Sequence, residues 1–338
     1  KNYLKTDIKI SSSSPLLLDG YLGSAVEIDV DALSDGNEVF IAGVMEHIEE
    51  AGVHSGDSAC SLPPHSLKSE IVDEIKRQTK ALAKELKVKG LMNVQFAVKT
   101  DEIYILEVNP RASRTVPFIS KATGIPLAGL GAKLMLGKKI SDLDIEERTY
   151  KHVAVKEAVL PFERLPGSDT LLTPEMRSTG EVMGIDNNFE MAFFKSQIAA
   201  GIMLPHSGSV FVSIKDMDKT EVMMNALRNL SEIGFLLIAT AGTKSFLDKA
   251  GVKNKLVKKV FEGRPNIVDL LIDSKISIVM NTTQGEQSIR DSKDIRQLAL
   301  NKKIPYYTTA RGIIAAIFSL KENKKYDYSV KSIQEYHL

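Results

Sequence analysis

The chain has 338 residues, 43% hydrophobic and 26% charged, an ordinary globular balance with length for two or three domains that need no disulfide or metal staples. Lys plus Arg number 44 against 43 Asp plus Glu, a net charge of +1, so the basic excess of a general nucleic-acid binder is missing. One cysteine, Cys60, excludes an internal disulfide and fits a reducing, cytoplasmic compartment. No run approaches the roughly 18 apolar residues of a membrane-spanning helix, and residues 1–10 are too polar for a signal peptide. The chain starts with Lys and runs through Ser11 to Ser14 into Pro15, which reads as the cut end of a fragment.

Residues 26–31 alternate apolar and acidic side chains, the period of a half-buried strand. Asp35-Gly36-Asn37 marks a turn, and 39–45 reads as a second strand. Residues 46–64 carry Gly, Ser, His and Pro without a period and are expected to be mostly loop. The strong period of 69–86, with Ile71, Ile75, Leu82 and Leu86 on one face, predicts a helix, and Gly90 reads as its stop signal. Strands are expected at 91–98 and 103–108. A segment punctuated by Pro and Gly then leads to a helix at about 126–136. Beyond it come an apolar strand at 153–160, a Pro/Gly-rich stretch at 161–174 and a mixed helical run before Pro205. From Ser209 onward, strands at 210–214, 235–239, 276–280 and 304–307 alternate with helices at 220–233, 243–250, 289–300 and 312–320. That is the pattern of a parallel sheet covered by helices. It places a domain boundary near 205, giving units 1–205 and 206–338 in an α/β chain.

The most informative cluster joins Asn93-Val94-Gln95 to Glu107-Val108-Asn109-Pro110-Arg111. Residues two apart on a strand share a face, so Glu107 and Asn109 project together. A three-residue connection, Thr100 to Glu102, would set Gln95 opposite Glu107, whereas a two-residue turn would put it on the other face. A carboxylate with two carboxamide oxygens suits Mg²⁺ or Mn²⁺. Arg111 and Arg114 follow at once, cations able to sit on phosphoryl oxygens as negative charge moves. The competing reading pairs Glu107 with one of these arginines at the sheet end. His54 lies in a Gly/Ser loop able to close over a phosphate, or is simply exposed. Glu27, Asp29 and Asp31 form an acidic strand face whose plainest reading is a solvated one. Cys60 has no base or cation beside it in the sequence and reads as structural.

In the second half, Thr240-Ala241-Gly242-Thr243 follows one expected strand and Asn281-Thr282-Thr283 another. In open parallel sheets ligands bind at the carboxyl ends of strands, where helix N-termini present free N–H groups. Threonine hydroxyls and a glycine suit a phosphate there, with Lys258 and Lys259 adding charge; the alternative is that these threonines are only helix caps. The lysines from Lys249 to Lys259 otherwise read as a solvated face.

Several long runs, in order, resemble the carbamoyl phosphate synthase large chain, and more narrowly its second, carbamate-phosphorylating ATP-grasp unit. They are Glu46-His47-Ile48-Glu49, Gly52-Val53-His54-Ser55-Gly56-Asp57-Ser58, Leu91-Met92-Asn93-Val94-Gln95-Phe96, Glu107-Val108-Asn109-Pro110-Arg111-Ala112-Ser113-Arg114 and Pro174-Glu175-Met176-Arg177-Ser178-Thr179-Gly180. The resemblance continues to the C-terminus. It implies a truncated ATP-grasp domain, α+β with an antiparallel sheet, followed by a Rossmann-like, methylglyoxal-synthase-like effector domain. It implies that Gln95, Glu107 and Asn109 are metal ligands, with Glu107 bridging two ions. Leu22, Glu27, Gly52, Val53, His54 and Ser55 line ATP, Glu27 touching the ribose, and Arg111 and Arg114 flank the transferred phosphate. Lys219, Thr240, Thr243, Lys259, Asn281 and Thr283 match positions that hold a nucleotide monophosphate, UMP as inhibitor or IMP. Glu49, Asp57, Glu157, Tyr306 and Thr308 match positions around the activator ornithine.

The activity implied is that of glutamine-hydrolysing carbamoyl phosphate synthase, serving pyrimidine and arginine biosynthesis. Its partner would be a small glutaminase subunit, with possible oligomerisation through the effector domain. No nucleic acid or membrane is implied. The upstream part of the ATP-grasp unit is not recognised, so the chain alone is expected to turn over no carbamoyl phosphate. Two departures reduce positive charge near the nucleotide positions: Ala241 stands where bacterial relatives often have His, and Glu286-Gln287 replaces a basic pair. Two other readings compete. One is a stand-alone nucleotide-sensing module whose ATP-grasp remnant is scaffold; the other is a biotin-dependent carboxylase, which has no place for the effector-like domain.

Overall fold

The computed structural model describes residues 20, 22–162, 170–326 and 328–337. The alternating segment builds β1 (Val26–Asp35), which pairs antiparallel with β2 (Val39–Glu50) on one side and β4 (Lys89–Lys99) on the other. With β3 (Cys60–Leu62), β5 (Glu102–Asn109), β6 (Val153–Val159) and β7 (Gly180–Asp186) they form one antiparallel sheet in the order β5-β4-β1-β2-β3-β6-β7. One face packs on α1 (Ser69–Glu85) through Val30, Val94, Phe96 and Ile75; the other packs in part on α2 (Val116–Thr123) and α3 (Leu127–Met135) through Leu33, Met45, Ile119 and Leu130.

The second sheet is fully parallel, in the order β10 (Asn254–Leu256), β9 (Leu236–Ala239), β8 (Ser209–Ser213), β11 (Ile278–Asn281), β12 (Tyr306–Tyr307). Helices α5 (Glu221–Glu232), α6 (Ala241–Lys249), α7 (Ile267–Ile272), α8 (Gly285–Asp291), α9 (Lys293–Asn301) and α10 (Ala310–Lys325) accompany it. The α/β fold expected from the sequence, an antiparallel ATP-grasp-like unit followed by a parallel-sheet unit, is therefore present.

Between the sheets lies α4 (Phe189–Ala199), which packs against β6 and β7 on one side and α10 on the other. One apolar cluster takes Ile48 and Val155 from the first sheet, Phe193 and Phe194 from α4, and Val210, Leu237, Ile313 and Ile317 from the second unit. The core thus runs across residue 205. Tyr307 Oη donates to Gln197 Oε1 of α4 (3.0 Å), and Arg311 at the start of α10 pairs with the buried Glu46 of β2. The terminal α11 (Ile333–Tyr336) returns to the first sheet, where Tyr336 Oη donates to the Ile185 carbonyl (3.1 Å).

Several expected elements differ. Residues 46–64 are loop over 51–59 and at 63–64, but β2 runs to Glu50 and β3 lies within, which the sequence did not indicate. Their polar side chains are paired inside the protein, as where the Glu46 carboxylate accepts from the His65 and Ser66 backbone (2.9 and 2.8 Å), so polarity does not mark solvent. The buried stripe of α1 is Ile75, Thr79 and Ala83, and Leu86, 54% exposed, is the C-cap. Gly90 does not stop α1. It lies in β4 at φ +108, where a Cβ would press on Met135. Helix α2 was not foreseen, because Pro117 reads as a breaker although proline suits a first turn. Strands β7 and β10 and helix α7 were also not foreseen. The expected helix 289–300 is two, α8 and α9. Part of the irregular stretch at 161–174, residues 163–169, lies outside the described residues.

Gly184 of β7 lets α4 approach to backbone contact: a Cβ there would overlap the Ala192 carbonyl oxygen and the Ser196 nitrogen. Gly184→Ala is expected to cost about 3 kcal/mol or more, because backbone cannot yield as a side chain can. Denaturant unfolding followed by circular dichroism measures it.

Candidate functional site

Register carries one polar residue from each of six strands into a row on one sheet face. Glu107 of β5 stands opposite Gln95 of β4, and Gln95 opposite Asp29 of β1. Asp29 Oδ2 meets His47 Nε2 of β2 at 2.9 Å; His47 stands opposite Cys60 of β3, and Cys60 opposite Lys156 of β6. Asp29, His47, Cys60 and Lys156 are all buried. Burial alone would depress the His47 pKa, but the Cys60 sulfur and Asp29 carboxylate beside it hold it well above the usual histidine value. Burial would likewise raise Asp29, and the hydrogen bond and charge of His47 hold it below the usual carboxylate value. The two form a buried, hydrogen-bonded acid–base pair in which each partner favours the charged form of the other.

The β4–β5 hairpin reaches this register by an unexpected route. Its turn has two residues, Thr100 and Asp101, both at positive φ, with Lys99 paired to Glu102. A bulge at Leu106 then shifts the pairing by one, so that Phe96 faces Ile105 but Gln95 faces Glu107. Asn109 Nδ2 donates to Glu107 Oε1 (2.8 Å), and Gln95 Nε2 donates to Ser55 Oγ (3.2 Å). That leaves Asn109 Oδ1, Glu107 Oε2 and Gln95 Oε1 as oxygen donors, a set that fits a hard divalent cation. Neither arginine pairs with Glu107. Among the described residues Arg111 is exposed and bonded to the Ala112 carbonyl (3.1 Å), and Arg114 lies near Glu181 Oε1 (4.0 Å) and against Met176.

Above the row runs the loop 51–59. Lys156 Nζ donates to the Ser55 carbonyl (3.1 Å), and the Asp57 carboxylate accepts from the Arg177 and Ser178 backbone (2.8 Å each). His54 is not simply exposed: its N–H meets the Thr173 carbonyl and its Nδ1 accepts from Gly56. Gly52 N–H donates to Glu27, whose pKa burial raises above the usual carboxylate value. Leu22 packs on Ala25, Ala51 and Ala97 beside it.

The acidic face of β1 is therefore not solvated, since Glu27, Asp29 and Asp31 are each at most 6% exposed. Asp31 accepts from Ser113, Thr115 and Asn93, anchoring the turn that bears Arg114, and burial still pushes its pKa up to about 6. Cys60 is not remote from base or cation either, sitting between His47 and Lys156. His47, Cys60 and Lys156 carry no sequence signal that marks them as members of the site. Parity along the paired strands is the signal that connects them, and it becomes readable only once β3 is recognised.

A second feature is a cavity of about 580 Å³ where the two units meet. Glu49, Asp57, Glu157, Tyr306 and Thr308 all line it, with Gln197, Tyr307 and Arg296. Glu49 Oε2 accepts from the Ala59 backbone (2.6 Å), and Glu157 accepts from Gln197 Nε2 (2.5 Å). Burial, and then the Glu49 charge, push Glu157 up to about 8; burial raises Glu49 too. Lys303 lines it as well as Arg296, so carboxylates and cations face the same hollow.

A third cluster sits at the carboxyl ends of the parallel strands. Thr240 opens α6 and donates to Ser213 Oγ (3.3 Å); Ser213 pairs with Asn281, whose buried Nδ2 has no partner among the described residues. Thr243 Oγ1 accepts from Ile214 N (2.9 Å). Lys219 Nζ lies 3.4 Å from where a Gly242 Cβ would stand, and its hydrogen bond to Asp216 Oδ1 (2.6 Å), then its charge and that of Lys259, lower the Asp216 pKa. Thr283 is half-buried beside Asn281, and the lysines from Lys249 to Lys259 are exposed as expected.

Residues 4–143 match the family "Carbamoyl-phosphate synthase L chain, ATP binding domain", and residues 222–308 match "MGS-like domain". The carbamoyl phosphate synthase large chain of Rhizobium meliloti is 53% identical over 96% of this chain and 28% of its own length. That of Archaeoglobus fulgidus is 49% identical over 100% of this chain and 31% of its own, and that of Myxococcus xanthus 51% over 99% and 31%. The chain thus spans about 30% of the length of the curated relatives it matches. No described helix is long and apolar enough to cross a membrane.

The raised Glu157 fixes the sign of a pH dependence. The folded state keeps a proton there that the unfolded chain loses near 4.5, so this stability is full below pH 4.5 and is lost as pH rises through about 8. Stability is expected to fall by about 1–3 kcal/mol from pH 5 to 8 on this account. Glu157→Gln should flatten that slope in denaturant titrations at each pH.

Proposed function

We propose that this chain, which belongs with the carbamoyl phosphate synthase large chains, carries the ATP-grasp surface on which carbamate is phosphorylated to carbamoyl phosphate. The observation that supports this reading is that strand register sets Gln95 opposite Glu107, with Asn109 bonded to Glu107 and Gln95 bonded to Ser55 of the loop 51–59. A carbamate oxygen attacks the γ-phosphorus of ATP, the bond to the β,γ-bridging oxygen breaks, and ADP leaves. Mg²⁺ or Mn²⁺, when bound by those three residues, neutralises phosphate charge. Glu27 accepts from a ribose hydroxyl and Leu22 lines the nucleotide. The backbone of Gly52, Val53, His54 and Ser55 covers the phosphates and excludes water. Arg111 and Arg114 swing onto the transferred phosphoryl oxygens, where their charge counts most as the bond to ADP lengthens.

The other two clusters are regulatory in this reading. The cavity takes ornithine, its ammonium groups facing Glu49, Asp57 and Glu157 and its remainder against Tyr306 and Thr308. The strand ends of the second sheet take UMP or IMP, the phosphate lying on Thr240, Thr243, Lys219 and Lys259, and the base side near Asn281 and Thr283. Each effector acts only through unequal affinity for two arrangements of the units. Ammonia for carbamate comes from a small glutaminase subunit, which makes the whole enzyme glutamine-hydrolysing and supplies pyrimidine and arginine synthesis.

Calorimetric titration with MgADP and with UMP tests both parts. Saturable MgADP binding is expected, weakened more than about tenfold by Glu107→Gln. UMP binding is expected to weaken about tenfold in Thr243→Ala and in Lys259→Ala. UMP binding with no MgADP binding would overturn the catalytic reading in favour of a nucleotide-sensing module on an ATP-grasp scaffold.

A further inference from the structure

Lys156 has an environment that stability alone does not explain. Its side chain is fully buried, yet among the described residues its ammonium has a single hydrogen bond, to the Ser55 carbonyl (3.1 Å), and its nearest paired carboxylate oxygen, Glu181 Oε1, stands 4.0 Å away. An ammonium in that setting loses its hydration for partial compensation, and an unbranched apolar side chain would serve the packing at lower cost. What the ammonium does secure is the position of Ser55.

Ser55 in turn holds Gln95. The Gln95 Nε2 donates to Ser55 Oγ (3.2 Å), while Gln95 stands opposite Glu107 in the strand pairing. The terminal torsion of a glutamine is soft and two-fold, so nothing intrinsic decides whether oxygen or nitrogen faces Glu107. The contact with Ser55 anchors one end of the carboxamide: with the amide nitrogen donating to Ser55 Oγ, Oε1 is left free to ligate a cation, and a bound cation selects that same orientation. With Ser55 displaced, the carboxamide can turn and offer N–H groups, which repel a cation.

We infer that Lys156 is a positioning residue for the metal site, acting through Ser55 to hold Gln95 with its oxygen toward Glu107. This rests on the reading of Gln95, Glu107 and Asn109 as metal ligands. Two other roles would keep Lys156 without touching Gln95: neutralising Asp29 and Glu181, or simply supporting the loop. Neither makes the effect of Lys156 depend on the side chain at position 95.

The test is a thermodynamic cycle on this chain with Mn²⁺ in the presence of ADP, free Mn²⁺ being read by electron paramagnetic resonance. Lys156→Met and Gln95→Ala should each weaken Mn²⁺ about tenfold, and the double variant should bind no more weakly than Gln95→Ala alone. Ser55→Ala keeps the ammonium, the carbonyl and the packing, so it tests the link from Ser55 to Gln95 even where Lys156→Met folds poorly; it too should lose about tenfold, and lose nothing further in the Gln95→Ala background. Losses that multiply in the double variants, or Mn²⁺ affinity unchanged in Ser55→Ala, would overturn the inference. Loss of Mn²⁺ in Glu107→Gln with no loss in Ser55→Ala or Lys156→Met would sink the positioning role and leave the metal reading intact. Wild-type chain that binds no Mn²⁺ would overturn both.

Discussion

Six strands of an antiparallel sheet each contribute a polar side chain to one transverse row, whose inner members Asp29, His47, Cys60 and Lys156 are buried while Gln95 is half-buried and Glu107 exposed at the edge. A buried carboxylate and imidazole 2.9 Å apart, Asp29 and His47, form its centre. Breaking one partner away would leave an uncompensated charge in a low-dielectric interior, which is far costlier than the pair itself. The row therefore needs a cover that stays in register, and the loop 51–59 provides it. Lys156 holds the loop from below at Ser55, the 177–178 backbone holds it at Asp57, and Thr173 holds it at His54.

The same segment joins two of the three candidate sites. Ser55 touches Gln95 on the row, while Asp57, two residues on, lines the cavity. On β6 the arrangement repeats: Lys156 faces the row and the adjacent Glu157 faces the cavity. Tyr307 and Gln197 close the cavity from the second unit and from α4, inside an apolar cluster that both sheets share. A cation in the cavity would draw a proton from Glu157 and so change the electrostatics one residue from the ammonium that secures the loop. In the proposed reading these packed contacts are the physical route by which an effector that favours one arrangement of the units reaches the nucleotide site.

How much of this the sequence disclosed depended on whether side-chain chemistry agreed with side-chain location. The parallel sheet was legible because its strands are short, apolar and regularly spaced with helices. The acidic alternation of β1 was read correctly as a strand but wrongly as a solvated face, since charge signals exposure unless the partner is known. Here the partners are His47 and the 113–115 turn, distant in sequence. The hairpin shows a subtler case. The two-residue turn by itself would have pointed Gln95 away from Glu107, and only the bulge at Leu106, which no local signal announces, restores the pairing. The cavity residues were named through resemblance, and no property of the sequence alone brings Glu49, Glu157 and Thr308 together.

The central claim is that the edge of this row, at Gln95, Glu107 and Asn109, is a divalent-cation site serving a nucleotide. Crystals of the chain grown with MnCl₂ and ADP, with diffraction collected at the manganese absorption edge, test it most directly. The account predicts an anomalous peak within coordination distance of the oxygens of all three residues, with the nucleotide phosphates beneath the loop 52–55. A peak elsewhere, or ADP bound with no manganese against Glu107, would contradict it.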